Sequence, residues 1–167
     1  LGVWYFLDGL STEDSIRAAQ KIESLGYGAL WLPETVGKDP LTTSSLLLSV
    51  TTKLSLATGI VNIYHREPGV MLAAQKTLAE QSQNRFVLGM GVSHKPLVEG
   101  VRGLEYGPPI KTMRDYLSKM EASPYTGIAS SEKPTTLIAA LGPKMLERAA
   151  EKTDGAHPYF TSPEHTE

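Results

Sequence analysis

Short apolar runs alternate with amphipathic stretches along this chain, and the alternation limits the fold more than any other feature. Runs at 2–7, 29–33, 54–62, 85–92, 136–141 and 155–160 read as strands. Between the first two, Ile16, Ala19, Ile22 and Leu25 recur at helical spacing. Four further helices carry Leu46, Leu47 and Val50 (42–50); Met71, Leu72, Leu78 and Ala79; Ile110, Met113, Leu117 and Met120; and Met145, Leu146 and Ala149. Punctuation agrees with this reading. Ser11 and Thr12 open the first helix, with Glu13 and Asp14 in the turn where the helix dipole favours acids. Gly26 closes it, and Pro68 and Pro143 suit the first turns of later helices. Strands separated by helices imply parallel pairing through right-handed crossovers. Two α/β architectures satisfy that: an open doubly wound sheet, or a parallel (β/α)8 barrel of the TIM type. Alternation alone does not choose between them.

In both architectures ligands sit beyond the carboxyl ends of the strands. The positions to inspect are therefore Asp8, Glu34, 58–66, 92–95, 141–143 and 157–159. Glu34 and His94 end two different strands and are the acid/base candidates; the plain alternative for each is a solvated rim residue. Gly89 and Gly91 resemble part of a dinucleotide-binding turn, but the third glycine of that fingerprint is replaced by His94. The glycines are better read as relief of crowding at a strand end, which also lets a flat ring approach the backbone. The histidines at 65, 94, 157 and 165 show no ligand spacing, so no metal site is expected. No nucleophile elbow or phosphate-binding loop occurs. Ser93 and His94 are neighbours on a strand and point to opposite faces, so they do not form a triad.

Composition narrows the partners. The 167 residues carry a net charge of −2 and no basic cluster, which argues against nucleic acid or an anionic membrane. No apolar run reaches the ~18 residues of a membrane span. Cysteine is absent, which removes disulfides and thiolate chemistry and fits a cytoplasmic location. The partner expected is a small-molecule substrate.

The run from Leu54 through Thr58, Gly59, Ile60, Val61 and Asn62 to Arg66 resembles the third strand of the bacterial luciferase-like superfamily. Ala29-Leu-Trp-Leu-Pro-Glu34, Asn84-Arg-Phe-Val-Leu-Gly-Met-Gly-Val-Ser-His94 and Ala139-Ala-Leu-Gly-Pro143 support it, in the family's order. The stretch from Asp154-Gly-Ala-His to His165 resembles the branch of coenzyme F420-dependent oxidoreductases. This resemblance implies the barrel over the open sheet. It implies a bound deazaflavin, coenzyme F420, or alternatively FMN. It also implies a cis peptide at Gly59–Ile60 backing the ring, with Thr58 and Asn62 beside it and Gly91, Val92 and Ser93 along the next wall. Leu141, Gly142 and Pro143 would open a helix toward the cofactor phosphate. Some F420-dependent relatives place a His after strand two and a Glu after strand four. Here Glu34 and His94 hold those places with the types exchanged.

The chemistry implied is hydride transfer between F420 and a small organic substrate. The alternatives are an FMN-dependent monooxygenase of the same superfamily, and a barrel relative that binds without turnover. A complete barrel takes ~250 residues. One domain over 1–167, lacking strands seven and eight, is therefore expected, as is a natural start before Leu1. A homodimer is also implied, to which the helix carrying Met71, Leu72, Ala73, Ala74 and Leu78 could contribute.

Overall fold

A computed structural model describes residues 1–162 and 164, so the histidine at 165 and the end of the run that contains it lie outside the described residues. The element order is β1 (Gly2–Trp4), α1 (Thr12–Ser24), β2 (Ala29–Leu32), α2 (Pro40–Ser49), β3 (Ser55–Thr58), β4 (Val61–Asn62), α3 (Pro68–Gln81), β5 (Phe86–Gly91), α4 (Pro109–Ala122), β6 (Thr135–Ala139), α5 (Pro143–Lys152) and β7 (Gly155–His157). All pairing is parallel, in the order β1-β2-β3-β5-β6-β7, with β4 also on β5. Each helix packs on the next, so all five cover one face of the sheet. The other face curls inward: Trp31 of β2 meets His157 of β7 edge-on, with ring centroids 4.9 Å apart. Helices on one face and a curled sheet are the marks of a barrel arc, here an incomplete one of six strand positions.

The outer face of the sheet builds the core. Leu30, Leu56, Phe86, Leu88, Met90 and Ile138 are essentially inaccessible, packed under the helices. Met71 and Leu78 of α3 belong to this core, which accounts for part of that helix's apolar face. Local chemistry sets the helix ends. Ser11, Asp39 and Glu67 side chains accept the Asp14, Thr42 and Val70 N–H groups. Asp39 starts α2 two residues before the position the apolar pattern suggests. Gly26, at φ +82°, ends α1 in the left-handed region. Strands β1 and β7 are shorter than their apolar runs; β7 stops before Pro158, which has no N–H to give a ladder. The long segment 93–109 holds a π-helical turn, Pro96–Val101, that the sequence pattern did not signal.

The expected third strand is interrupted. Ala57 pairs with Val87 and Val61 with Met90, so four steps along one strand match three along the other. That is a bulge with one extra residue. The Thr58 hydroxyl fills the gap, donating to the Gly89 carbonyl (2.7 Å) and accepting the Gly89 N–H (2.9 Å). On the other side, the Gly59 N–H reaches Leu32 O at 2.8 Å. A side chain at Gly89 is impossible, since a methyl there would lie 2.0 Å from the Thr58 carbonyl oxygen.

Thr58→Val keeps the shape but strips the buried Gly89 peptide of both partners. The expected loss is about 1–3 kcal/mol, read from urea unfolding midpoints. A second prediction concerns Glu23, whose Oε1 accepts the Thr52, Lys53 and Leu54 N–H groups at 2.9, 2.6 and 2.8 Å. The Lys53 and Leu54 N–H groups, ahead of a smaller opposing effect of burial, hold this carboxyl below its usual range. A depressed folded value contributes stability above the unfolded pKa and loses it as pH falls through the folded one. Glu23→Gln should therefore lower the unfolding midpoint at pH 7, and the two proteins should converge in acid.

Candidate active-site cleft

A cleft of about 1040 Å³ opens at the carboxyl ends of the strands. Of the residues the sequence singled out, Gly59, Ile60, Val92, Ser93, Leu141, Gly142 and Pro143 line it, together with Glu34 and His94. Thr58, Asn62 and Gly91 are buried behind this wall. The Gly59–Ile60 peptide is cis. Its Gly59 carbonyl accepts the Trp4 indole N–H at 2.9 Å. Gly91 makes room for the bulge: a methyl there would meet Ile60 Cδ1 and Ala139 Cβ, each at 2.9 Å. Both glycines of the Gly-Met-Gly run thus receive the bulge of the neighbouring strand.

Glu34 is the most heavily engaged polar group of the site. Its side chain is only 7 % exposed. Oε2 accepts the Asn62 N–H at 2.6 Å, and Oε1 pairs with Arg66 Nη2 at 2.7 Å. His65 Nδ1 lies 3.4 Å from Oε2. Arg66 also pairs with Asp39, the cap of α2. Burial works against the Arg66 charge, but Glu34 and Asp39 outweigh it and hold the guanidinium above its usual range. The carboxylate therefore ties β2, the end of β4 and the loop before α3 into one unit.

Asn62 turns its side chain to the segment that follows it. Its Oδ1 caps the 3₁₀ turn Ile63–His65 by accepting the Tyr64 N–H at 3.0 Å, and Nδ2 faces His65 Nε2 at 3.2 Å. The amide is spent on holding the turn, since the turn's first N–H has no backbone partner of its own. With Nδ2 donating, His65 Nε2 accepts, which leaves the His65 proton on Nδ1, toward Glu34. His94 is different: it is exposed on the rim after β5.

Several cleft residues carried no sequence signal of their own. Trp4 and Phe6 form one side, with rings 4.8 Å apart and edge to face. Leu97 and Val101 of the π-helical turn form another. That turn is fastened by Tyr64 and Tyr106, stacked at 5.6 Å, and by the Gly107 N–H to the Tyr64 hydroxyl at 2.9 Å. Burial, with Tyr64 adding to it, raises the Tyr106 pKa above the usual phenol value. His157 stands on the floor beside Gly59; its strand-end position was the available clue. At the far side, α5 begins with Gly142 at the N-cap and no side-chain cap, and a methyl at Gly142 would meet open space. A wide apolar slot with an uncapped helix end beside it suits a flat ring carrying a phosphorylated tail. Among the described residues no cluster of metal-ligating side chains occurs, and no helix is long and apolar enough to cross a membrane.

Known proteins resemble this chain in sequence or in fold. A Mycobacterium tuberculosis protein provisionally named as a coenzyme F420-dependent oxidoreductase is 28% identical over 98% of this chain and 55% of its own length. The 5,10-methylenetetrahydromethanopterin reductase of Archaeoglobus fulgidus is 29% identical over 80% of this chain and 45% of its own length. The chain thus spans about half the length of the curated relatives it matches. Among solved structures, an F420-dependent secondary alcohol dehydrogenase holding an F420-acetone adduct superposes with a TM-score of 0.80 at 15% identity, over 98% of this chain and 58% of that one. The FMN complex of a type II Baeyer-Villiger monooxygenase from Pseudomonas putida gives 0.71 at 15% identity, over 87% and 53%. At such identities these two speak for the fold. The family described as luciferase-like monooxygenase matches residues 8–167, and the chain belongs to it.

Proposed function

We propose that the protein is an F420-dependent oxidoreductase that transfers hydride between the cofactor and a small organic molecule. The observation that carries this reading is the apolar cleft at the strand ends, walled by the 58–61 bulge on one side and faced by the uncapped start of α5 on the other. One relative named above is provisionally named for F420, and the alcohol dehydrogenase that superposes on this fold holds an F420 adduct; both favour F420. When bound, F420 supplies a ring carbon that gives or takes a hydride. Gly59, Ile60, Val92 and Ser93 offer the wall for the ring; Leu141, Gly142 and Pro143 offer backbone for the tail. The apolar walls keep water from the reacting atoms. His94, free on the rim, is the proton carrier. Glu34, held by Arg66 and the Asn62 N–H, keeps the bulge and the following turn in place.

The second reading, an FMN-dependent monooxygenase, is favoured by the family's description and by the FMN-bound neighbour. Titration separates the two: F420 should bind with a shift of its absorbance, and FMN should bind at least about tenfold more weakly. Preferential FMN binding, with oxygen uptake when the bound FMN is reduced, would replace the first reading by the second. Within the first reading, His94→Gln should lower kcat by ~10²–10⁴ with the fold intact, as loss of a general acid or base does. Glu34→Gln breaks a buried pair and should cost about 3 kcal/mol in unfolding free energy as well as cofactor affinity. Unchanged turnover in His94→Gln would remove that residue from the chemistry.

A further inference from the structure

The His157 ring is held in a closely defined setting on the cleft floor. Nδ1 lies 3.0 Å from the Pro158 carbonyl oxygen. A carbonyl only accepts, so this bond places the ring proton on Nδ1 and leaves Nε2 as an acceptor in the neutral imidazole. Trp31 packs edge-on against the ring and fixes its plane. Nε2 itself makes no hydrogen bond among the described residues. It faces Gly59: a methyl there would lie 2.8 Å from Nε2 and 3.1 Å from the Trp4 indole nitrogen. Trp4 already gives its N–H to the Gly59 carbonyl, so it cannot satisfy Nε2. The two acid/base candidates of the cleft differ: Glu34 is committed to Arg66 and the Asn62 N–H, and His94 sits on the exposed rim. An oriented, half-buried acceptor beside the cis peptide thus awaits a donor that the protein does not supply.

We propose that His157 Nε2 accepts a hydrogen bond from the ring of the bound cofactor, through the imide N–H of its pyrimidine portion. That N–H is common to FMN and F420. The bond adds about the net worth of one hydrogen bond and favours a ring that brings a donor to this spot. The inference rests on the reading of the cleft as a flavin or deazaflavin site, and it assigns His157 to orienting the ring, not to proton transfer with substrate.

Fluorescence titrations of the full-length protein test it, with F420, FMN and N3-methyl-FMN as probes. His157→Ala should raise the Kd of whichever parent cofactor binds by about tenfold, the scale of one hydrogen bond with an unpaired group left behind. His157→Gln, which restores an acceptor, should recover most of that loss. N3-methyl-FMN has no imide N–H. It should bind the wild type about tenfold more weakly than FMN, and bind His157→Ala within about twofold of FMN, because the methyl then removes nothing. Equal affinity of the wild type for FMN and N3-methyl-FMN would overturn the proposal while leaving the cofactor site standing. An N3-methyl penalty that persists unchanged in His157→Ala would overturn it as well. Failure of the wild type to bind either F420 or FMN would remove the cofactor reading and this inference with it.

Discussion

The reciprocal bonds between the Thr58 hydroxyl and the Gly89 peptide are the contact on which the site depends. An extra residue in a parallel ladder breaks its regular bonding inside a dry sheet. Water cannot reach the gap, so the protein must fill it from its own groups. One hydroxyl does both jobs because it can donate and accept at once. The chain then returns to the ladder at Val61 and Asn62, shifted by one residue against β5. That shift delivers the Asn62 N–H to Glu34 and, four residues on, the Arg66 guanidinium to the same carboxylate.

The two faces of the sheet solve different problems. The helix-facing row is a continuous aliphatic layer that buries itself fully. The inner face mixes rings with the smallest residues: Trp4, Trp31 and Ala57 pair across one end of it, Ala139 pairs with His157 at the other, and Gly89 and Gly91 lie on β5 between them. Small residues on β5 accept the bulge, and rings on β1, β2 and β7 face it. A flat slot is the shape that remains between a bulge and a set of rings. The apolar character of the cleft is thus a consequence of how the inner face packs.

Much of this fold could be read in the sequence, because alternation, capping residues and prolines act locally. Ser11, Gly26, Pro68 and Pro143 all stand at the helix ends they suggested. The barrel arc itself needed the family resemblance, since curvature is set by contacts such as Trp31 with His157, which are 126 residues apart. The site was legible in position and less so in chemistry. Glu34 is at the strand end expected for it, but its engagement with Arg66 depends on a turn held by Asn62. Nothing in the spacing of 34, 62 and 66 announces that closure. The π-helical turn at Pro96–Val101 was hidden for a related reason. Its Val98 is wholly buried by tertiary packing, while Gly100 and Pro96 punctuate the segment as a loop would be punctuated.

The Gly-Met-Gly run shows how a motif acquires meaning from its neighbour. As a dinucleotide-binding turn it would put glycine backbone against a pyrophosphate at a helix start. Here both glycines lie inside β5 and face the strand before it. Gly89 yields to a carbonyl and Gly91 to the Ile60 side chain. Met90 between them points the other way, into the core. The spacing of two is the pleat of the strand, not the geometry of a turn. The same pleat fixes the partners across the inner face, where Gly91 aligns with Ala139 and Ala139 with His157. A larger residue at 91 would press on Ile60 and Ala139 together, and so displace the bulge and the row that ends at His157. The polar acceptor at 157 and the bare backbone at 59 are therefore kept in line by a glycine on a strand between them.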